Sequence, residues 1–167
     1  FQVNLSRNWS VEIVDDFSSS GLYESLKNIN PAPFSAFAHF NEFDIISSSP
    51  ERLFAVDGAM QTISTRPIAG THPRGEGNQD QIMKENLISH PKEKAEHLML
   101  IDLERNDLGR ICEYGSIKVD EFMTLETYPY VHHIVSNVSG KLRDEISFEH
   151  IVKALFPGGT ITGCPKI

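Results

Sequence analysis

The segment Arg52-Leu53-Phe54-Ala55-Val56-Asp57-Gly58-Ala59-Met60-Gln61-Thr62-Ile63-Ser64-Thr65-Arg66-Pro67-Ile68 holds two strand-like runs with Asp57-Gly58 between them. Asp-Gly in that setting predicts a hairpin, because a type I′ turn needs positive φ at both central residues. The composition then changes. Gly70 to Asn78 reads as a loop. Gln79 to Arg110 reads as helical sequence divided at His90-Pro91, since the residue before a proline avoids the α region. The second helix, about Lys92 to Asn106, places Ala95, Leu98, Met99 and Leu103 near one stripe.

Strand-like runs recur on both sides of this segment. Upstream, Leu22, Leu26 and Ile29 mark a helix that Pro31 ends, and Phe34 to Phe43 and Asp44-Ile45-Ile46 follow as strands. Downstream, Ser116 to Glu126 and Val131 to Leu142 read as strands. Ser147 then caps a helix carrying Phe148, Ile151, Val152 and Leu155, and Phe156 to Pro165 is a glycine-threonine loop. Strands and helices mix without regular βαβ alternation. The expected class is therefore α+β, with largely antiparallel sheets and packed helices.

The 167 residues fit one domain of ordinary size, and 40% hydrophobic with 23% charged residues is a globular mixture. The balance of 23 acidic to 15 basic side chains gives a formal net charge of -8, which disfavours non-specific nucleic-acid binding. No apolar run approaches the ~20 residues of a membrane helix. Cys112 and Cys164 lie far apart and outside any CxxC pairing, so neither a zinc site nor a disulfide framework is expected, and a cytoplasmic location is the simplest. The chain starts in a strand-like stretch, Phe1 to Leu5, and stops at Cys164-Pro165-Lys166-Ile167, where the proline resembles the first position of a helix. These ends lead us to expect a piece from the middle of a larger protein. The Asn-x-Ser triplets at Asn4, Asn8 and Asn137 read as chance.

Several residues carry candidate chemistry. Glu93 and Glu96, at i and i+3, share a helix face, and paired carboxylates suit Mg²⁺, which keeps water and substrate oxygens in its shell. A solvated charged face is the other reading, because Lys92 and Lys94 interleave with the acids. His132 and His133 alternate to opposite faces of an apolar strand, so one of them points inward as a satisfied core histidine or a working one. Glu51 after Ser49-Pro50 is a general acid/base candidate or a surface turn acid. Gly70 permits close backbone approach to a ligand. The run Gly158-Gly159-Thr160-Ile161-Thr162-Gly163 offers N–H groups and hydroxyls to an anion, or is a structural turn.

Together and in order, these motifs resemble a family. The runs Ser49-Pro50-Glu51-Arg52, Thr65-Arg66-Pro67-Ile68-Ala69-Gly70-Thr71, Lys94 to Arg110 (KAEHLMLIDLERNDLGR), Val131-His132-His133-Ile134-Val135-Ser136 and Phe156 to Lys166 (FPGGTITGCPK) are similar to those of the chorismate-utilising enzymes. That family includes anthranilate synthase component I, aminodeoxychorismate synthase component I, isochorismate synthase and salicylate synthase. The resemblance runs over Phe1 to Ile167 and covers the middle of the family's catalytic domain.

The resemblance implies roles. Glu96 would be a Mg²⁺ ligand, with the metal gripping the chorismate ring carboxylate. Its partner carboxylate would lie beyond Pro165. Glu93 would shape the acidic site. Glu51 would be the acid that helps the 4-hydroxyl leave, and His133 would orient a carboxylate or that hydroxyl. Ala69, Gly70, Thr71, Thr160 and Thr162 would line the substrate. Pro33, Phe34 and Ser35 resemble a segment that lines a tryptophan pocket in relatives, or form a helix-ending turn. Ammonia would come from a glutamine amidotransferase subunit. Within the family two markers diverge. Ala69 stands where lysine-dependent members carry lysine, which favours direct attack by ammonia as in anthranilate synthase. The Gly-Gly-Thr-Ile-Thr-Gly loop resembles aminodeoxychorismate synthases, some bacterial members of which carry both features. Amination of chorismate to 4-amino-4-deoxychorismate is the expected activity, with anthranilate formation, or an inert piece or binding module, as alternatives.

Overall fold

The computed structural model describes residues 3–14, 16–59 and 61–166 and divides into two units, 5–52 and 53–166 with residues 3 and 4. In the smaller unit, helix α1 (Ser19–Ile29) is capped by the Ser18 hydroxyl, which accepts from the Gly21 N–H at 3.1 Å. Strands β1 (Phe34–His39) and β2 (Asp44–Ser49) pair antiparallel from Phe34↔Ser49 to His39↔Asp44. The expected strand to Phe43 stops at His39, because the Phe40 N–H donates to the Phe43 carbonyl and closes a turn. Tyr23 of α1 stacks on Phe37 at 5.7 Å. Of the strand-like opening, Phe1 and Gln2 lie outside the described residues, and Val3 to Leu5 form no strand.

The larger unit is built on a five-stranded antiparallel sheet. Strands β3 (Arg52–Asp57), β4 (Thr62–Arg66) and β5 (Ile68–Pro73) come first, then helices α2 (Asn78–Ser89) and α3 (Pro91–Gly109). Strands β6 (Lys118–Thr127) and β7 (Val131–Lys141) and helices α4 (Phe148–Leu155) and α5 (Gly159–Thr162) follow. The order is β3-β4-β7-β5, with β6 also on β7. Long β7 is the spine. Its C-terminal half pairs with β4 (Thr65↔Val138) and its N-terminal half with β5 (Thr71↔His133), while β6 runs along the other edge. Pro67, which lacks an N–H, separates β4 from β5, and its carbonyl accepts from the Ser136 N–H. This mixture of helices and antiparallel sheets is the expected α+β class.

Three local expectations are corrected. The hairpin turn is longer than Asp57-Gly58. The Asp57 carboxylate accepts from the Ala59 N–H at 3.0 Å, and among the described residues of the turn Gln61 is left-handed, at φ 50°. The stretch after Gly70 is not loop, since β5 runs to Pro73 on the strength of its pairing with β7. The stripe on α3 is a different one. Ala95 and Leu98 are exposed, Met99 and Leu103 half-buried, and the buried face is His97, Leu100, Ile101, Glu104, Asp107 and Leu108. The division at His90-Pro91 stands, with the His90 ring accepting from the Glu93 N–H. The Ser147 cap also stands, and His150 completes a capping box. The core gathers Ile63, Ile101, Leu108, Ile111, Val138, Leu142, Ile151 and Leu155 between the sheet, α3 and α4.

Candidate active site

Gly70 lies where β5 packs against α2 and α3. It sits at φ 97°, and a Cβ there would come within 3.1 Å of Ile134 Cδ1 and 3.3 Å of both Glu93 Oε2 and Leu87 Cδ1. Glycine satisfies both demands, the left-handed backbone and the missing side chain. Glu93 therefore lies directly against Gly70. One turn on, Glu96 is half-buried and lines an open cleft of ≈ 760 Å³ with Val3, Asn4, Lys92, Ala95, Met99 and Cys164. The structure thus places Glu96 on the cleft wall and Glu93, one turn earlier on α3, beside Gly70.

The glycine-threonine run closes on the same helix. It forms the single turn α5, in which the Thr162 hydroxyl and the N–H groups of Ile161 and Thr162 donate to the Gly158 carbonyl. Those groups are spent on the turn, the second of the two readings of this run. The Thr160 carbonyl accepts from the Asn4 amide at 3.0 Å. Gly159 touches Leu103 so closely that a Cβ would overlap Leu103 Cδ2. Beyond it, Lys166 Nζ lies 2.7 Å from buried Asp107 and 3.0 Å from the Leu155 carbonyl, pinning the chain after Cys164 to α3 and α4.

His132 and His133 are both buried, because this end of the sheet is covered on both faces. His132 donates from Nε2 to Asp80 at 2.8 Å, with Thr127 Oγ1 2.9 Å from its Nδ1. Arg74 first, then His132 and Lys84, hold the Asp80 carboxyl well below the usual carboxylate range against the opposing effect of burial. His133 points to the other face, away from Ile134 and the helices. Its Nδ1 is 2.8 Å from the Thr71 hydroxyl, and its ring meets Tyr128 edge-on at 5.4 Å. Burial lowers its pKa, Glu126 opposing and His132 adding. Tyr128 donates to Glu126 at 2.6 Å, which together with burial pushes the phenol up to about 12, and Glu126 also pairs with Arg66. Thr71 and Gly70 are adjacent on the outer strand β5 but face opposite ways, Thr71 toward His133 and Gly70 toward Ile134 and Glu93.

Glu51, Pro33, Phe34 and Ser35 belong to the smaller unit. Glu51 is half-buried between β2 and β3, where its N–H donates to the Ser49 hydroxyl at 3.2 Å and its carbonyl accepts from the same group. Pro33 and Phe34 are exposed, and the Ser35 hydroxyl donates to the Ala32 carbonyl at 2.9 Å as part of a turn. Sequence reasoning passed over His97, Asp80, the Arg66–Glu126–Tyr128 group and Lys166. The one signal for His97 was its place on the Leu100-Ile101 side of α3.

Magnesium is commonly held by one or two carboxylates with water and substrate oxygens completing the shell. Two acids on one cleft-lining helix turn fit such a partial shell. Among the described residues no cluster of three or more His, Cys, Asp or Glu is arranged to hold a metal ion. Neither cysteine forms a disulfide, and burial pushes the Cys112 thiol up to about 11. No helix among the described residues is long and apolar enough to cross a membrane.

The profile of the chorismate binding enzymes matches residues 1–167. The chain is 48% identical over 168 residues to aminodeoxychorismate synthase component 1 of Bacillus subtilis, covering 100% of this chain and 35% of that protein. It is 47% identical over 171 residues to anthranilate synthase component 1 of Synechocystis sp., covering 100% and 33%. Anthranilate synthase component I from Streptococcus pneumoniae has the same fold at TM-score 0.78 and 38% identity, over 89% of this chain and 32% of that chain. The chain spans about a third of the length of these relatives.

Proposed function

The chain belongs to the chorismate binding enzymes, and from that membership we propose that it forms the central part of a catalytic domain that aminates chorismate to 4-amino-4-deoxychorismate. The observation that supports this reading within the fold is the approach of Gly70 to Glu93, beside the cleft lined by Glu96. In the reaction the nitrogen of ammonia forms the new C–N bond, the C4–hydroxyl bond breaks, and the hydroxyl leaves as water after protonation. The ammonia would come from a glutamine amidotransferase subunit.

Each residue then has a task. Glu96, with Glu93 beside it, would hold Mg²⁺. When bound, the metal offsets the charge of a substrate that carries two carboxylates. Gly70 and Thr71 would present backbone and hydroxyl to the ring. His133, held at Nδ1 by Thr71, would orient a carboxylate or the departing hydroxyl. Glu51 would supply the proton. Ala69, Thr160 and Thr162 would shape the walls, and Pro33, Phe34 and Ser35 would line a separate amino-acid pocket in the smaller unit.

One observation favours a second reading. Ala69 is 6% exposed and bears only a methyl group, so it supplies no amine to attack the ring. Direct attack by ammonia at the ortho position would make the longer protein an anthranilate synthase component. The longer protein, given chorismate, Mg²⁺ and an ammonium salt, separates the two by product mass and retention. We expect 4-amino-4-deoxychorismate. Anthranilate would select the second reading, and unconsumed chorismate would contradict both.

A further inference from the structure

His97 is fully buried in the middle of α3, next to Glu96 and one turn from Glu93. Its two ring nitrogens reach two different strands. Nδ1 lies 3.0 Å from the Ala69 carbonyl on β5, and Nε2 lies 2.7 Å from the Ser136 hydroxyl on β7. A carbonyl oxygen only accepts, so Nδ1 donates. The Ser136 oxygen accepts from the Met123 N–H at 2.9 Å, which leaves its own proton for Nε2.

Both ends of this chain fall at faults in the sheet. The β5–β7 register slips between Ile68 and Thr71, which places Ala69 and Gly70 in the irregular stretch. The β6–β7 register slips between Glu121 and Thr124, around left-handed Met123 at φ 49°. Each bulge takes backbone groups out of the ladder, and buried groups of that kind must be paired elsewhere. Ser136 and His97 complete one bridge across β7, from the Met123 N–H to the Ala69 carbonyl.

We propose that His97 is a positioning residue of the chorismate site: with Nδ1 as donor and Nε2 as acceptor, it fixes the peptide that joins Ala69 to Gly70 against α3, and so sets the approach of Gly70 to Glu93. This rests on the function proposed above. The bridge explains how a left-handed glycine at an irregular strand position is kept in register with a helix carrying two carboxylates. It also explains a buried imidazole one residue from a cleft that it does not line.

The test uses the full-length protein. Asparagine at this position carries its amide nitrogen near the place of Nδ1, and glutamine carries its amide near the place of Nε2. His97→Asn keeps a donor for Ala69 and is expected to retain kcat/KM within a few-fold. His97→Gln keeps the Ser136 contact, releases Ala69, and is expected to lose about tenfold or more, mainly through a higher KM for chorismate. Nitrogen-15 imidazole spectra of the wild-type protein read the bridge independently of how well either variant folds. A protonated Nδ1 and an unprotonated Nε2 are expected. A ring protonated at Nε2 alone overturns the proposal, as do equal losses in the two variants at equal melting temperature. Wild-type protein that leaves chorismate unconsumed contradicts the underlying functional reading instead.

Discussion

At the scale of the residue, two glycines carry constraints that no other side chain meets. Gly159 lies against Leu103 of α3, and Gly70 combines φ 97° with a site where a Cβ would come within 3.1 to 3.3 Å of Ile134, Glu93 and Leu87. For Gly70→Ala the left-handed backbone alone costs about 1–2 kcal/mol. The added methyl must also displace Glu93 or Ile134. We expect a matching fall in denaturation midpoint, and in the full-length protein a weaker response to Mg²⁺. An alanine variant with unchanged stability and unchanged metal response would remove Gly70 from the account. His97 shows the opposite case, a polar residue whose role comes from partners far away in sequence, at Ala69 and Ser136.

At the scale of the element, α3 separates two faces by burial. Leu108 is 0% exposed in the main core, whereas Leu98 is 55% exposed. Leu108→Ala is therefore expected to cost about 2–5 kcal/mol, and Leu98→Ala to stay within about 0.5 kcal/mol. Paired urea titrations check this, and equal costs would mean that the helix packs by its other face. The helix boundaries were legible because caps and prolines act locally, as at His90-Pro91 and Ser147. The buried face was not, because His97, Glu104 and Asp107 lie on it and read as polar in any periodicity count. Strand β5 was hidden for a related reason. Gly70, Thr71 and Pro73 look like loop residues, and only pairing with β7, some sixty residues on, makes them strand. Of the candidate site, spacing marked Glu93 and Glu96 as sharing a face, strand alternation singled out His132 and His133, Gly70 stood out for its missing side chain, and family resemblance added Thr71. The bridge through His97 needed the fold.

At the scale of the molecule, α3 supplies most of one cleft wall, and the chain after α5 reaches the same cleft at Cys164. Lys166 ties the chain after α5 to Asp107, and Gly159 seats α5 on Leu103, so Glu96 and Cys164 line the same space. The chain carries a net charge of -8, which does not by itself attract a dianionic substrate. A cation bound at the α3 carboxylates would offset the substrate's charge where it matters, and this makes metal binding the hinge of the account. The most direct measurement is a Mg²⁺ titration of the full-length protein by calorimetry, with and without chorismate, comparing wild type with Glu96→Gln and with Asp102→Asn on the exposed face of α3. We predict that chorismate tightens Mg²⁺ binding to wild type and to Asp102→Asn. Glu96→Gln should bind about tenfold or more weakly, with most of the chorismate effect gone. Unaltered, chorismate-linked Mg²⁺ binding in Glu96→Gln would contradict the assignment of the metal end of the site to α3.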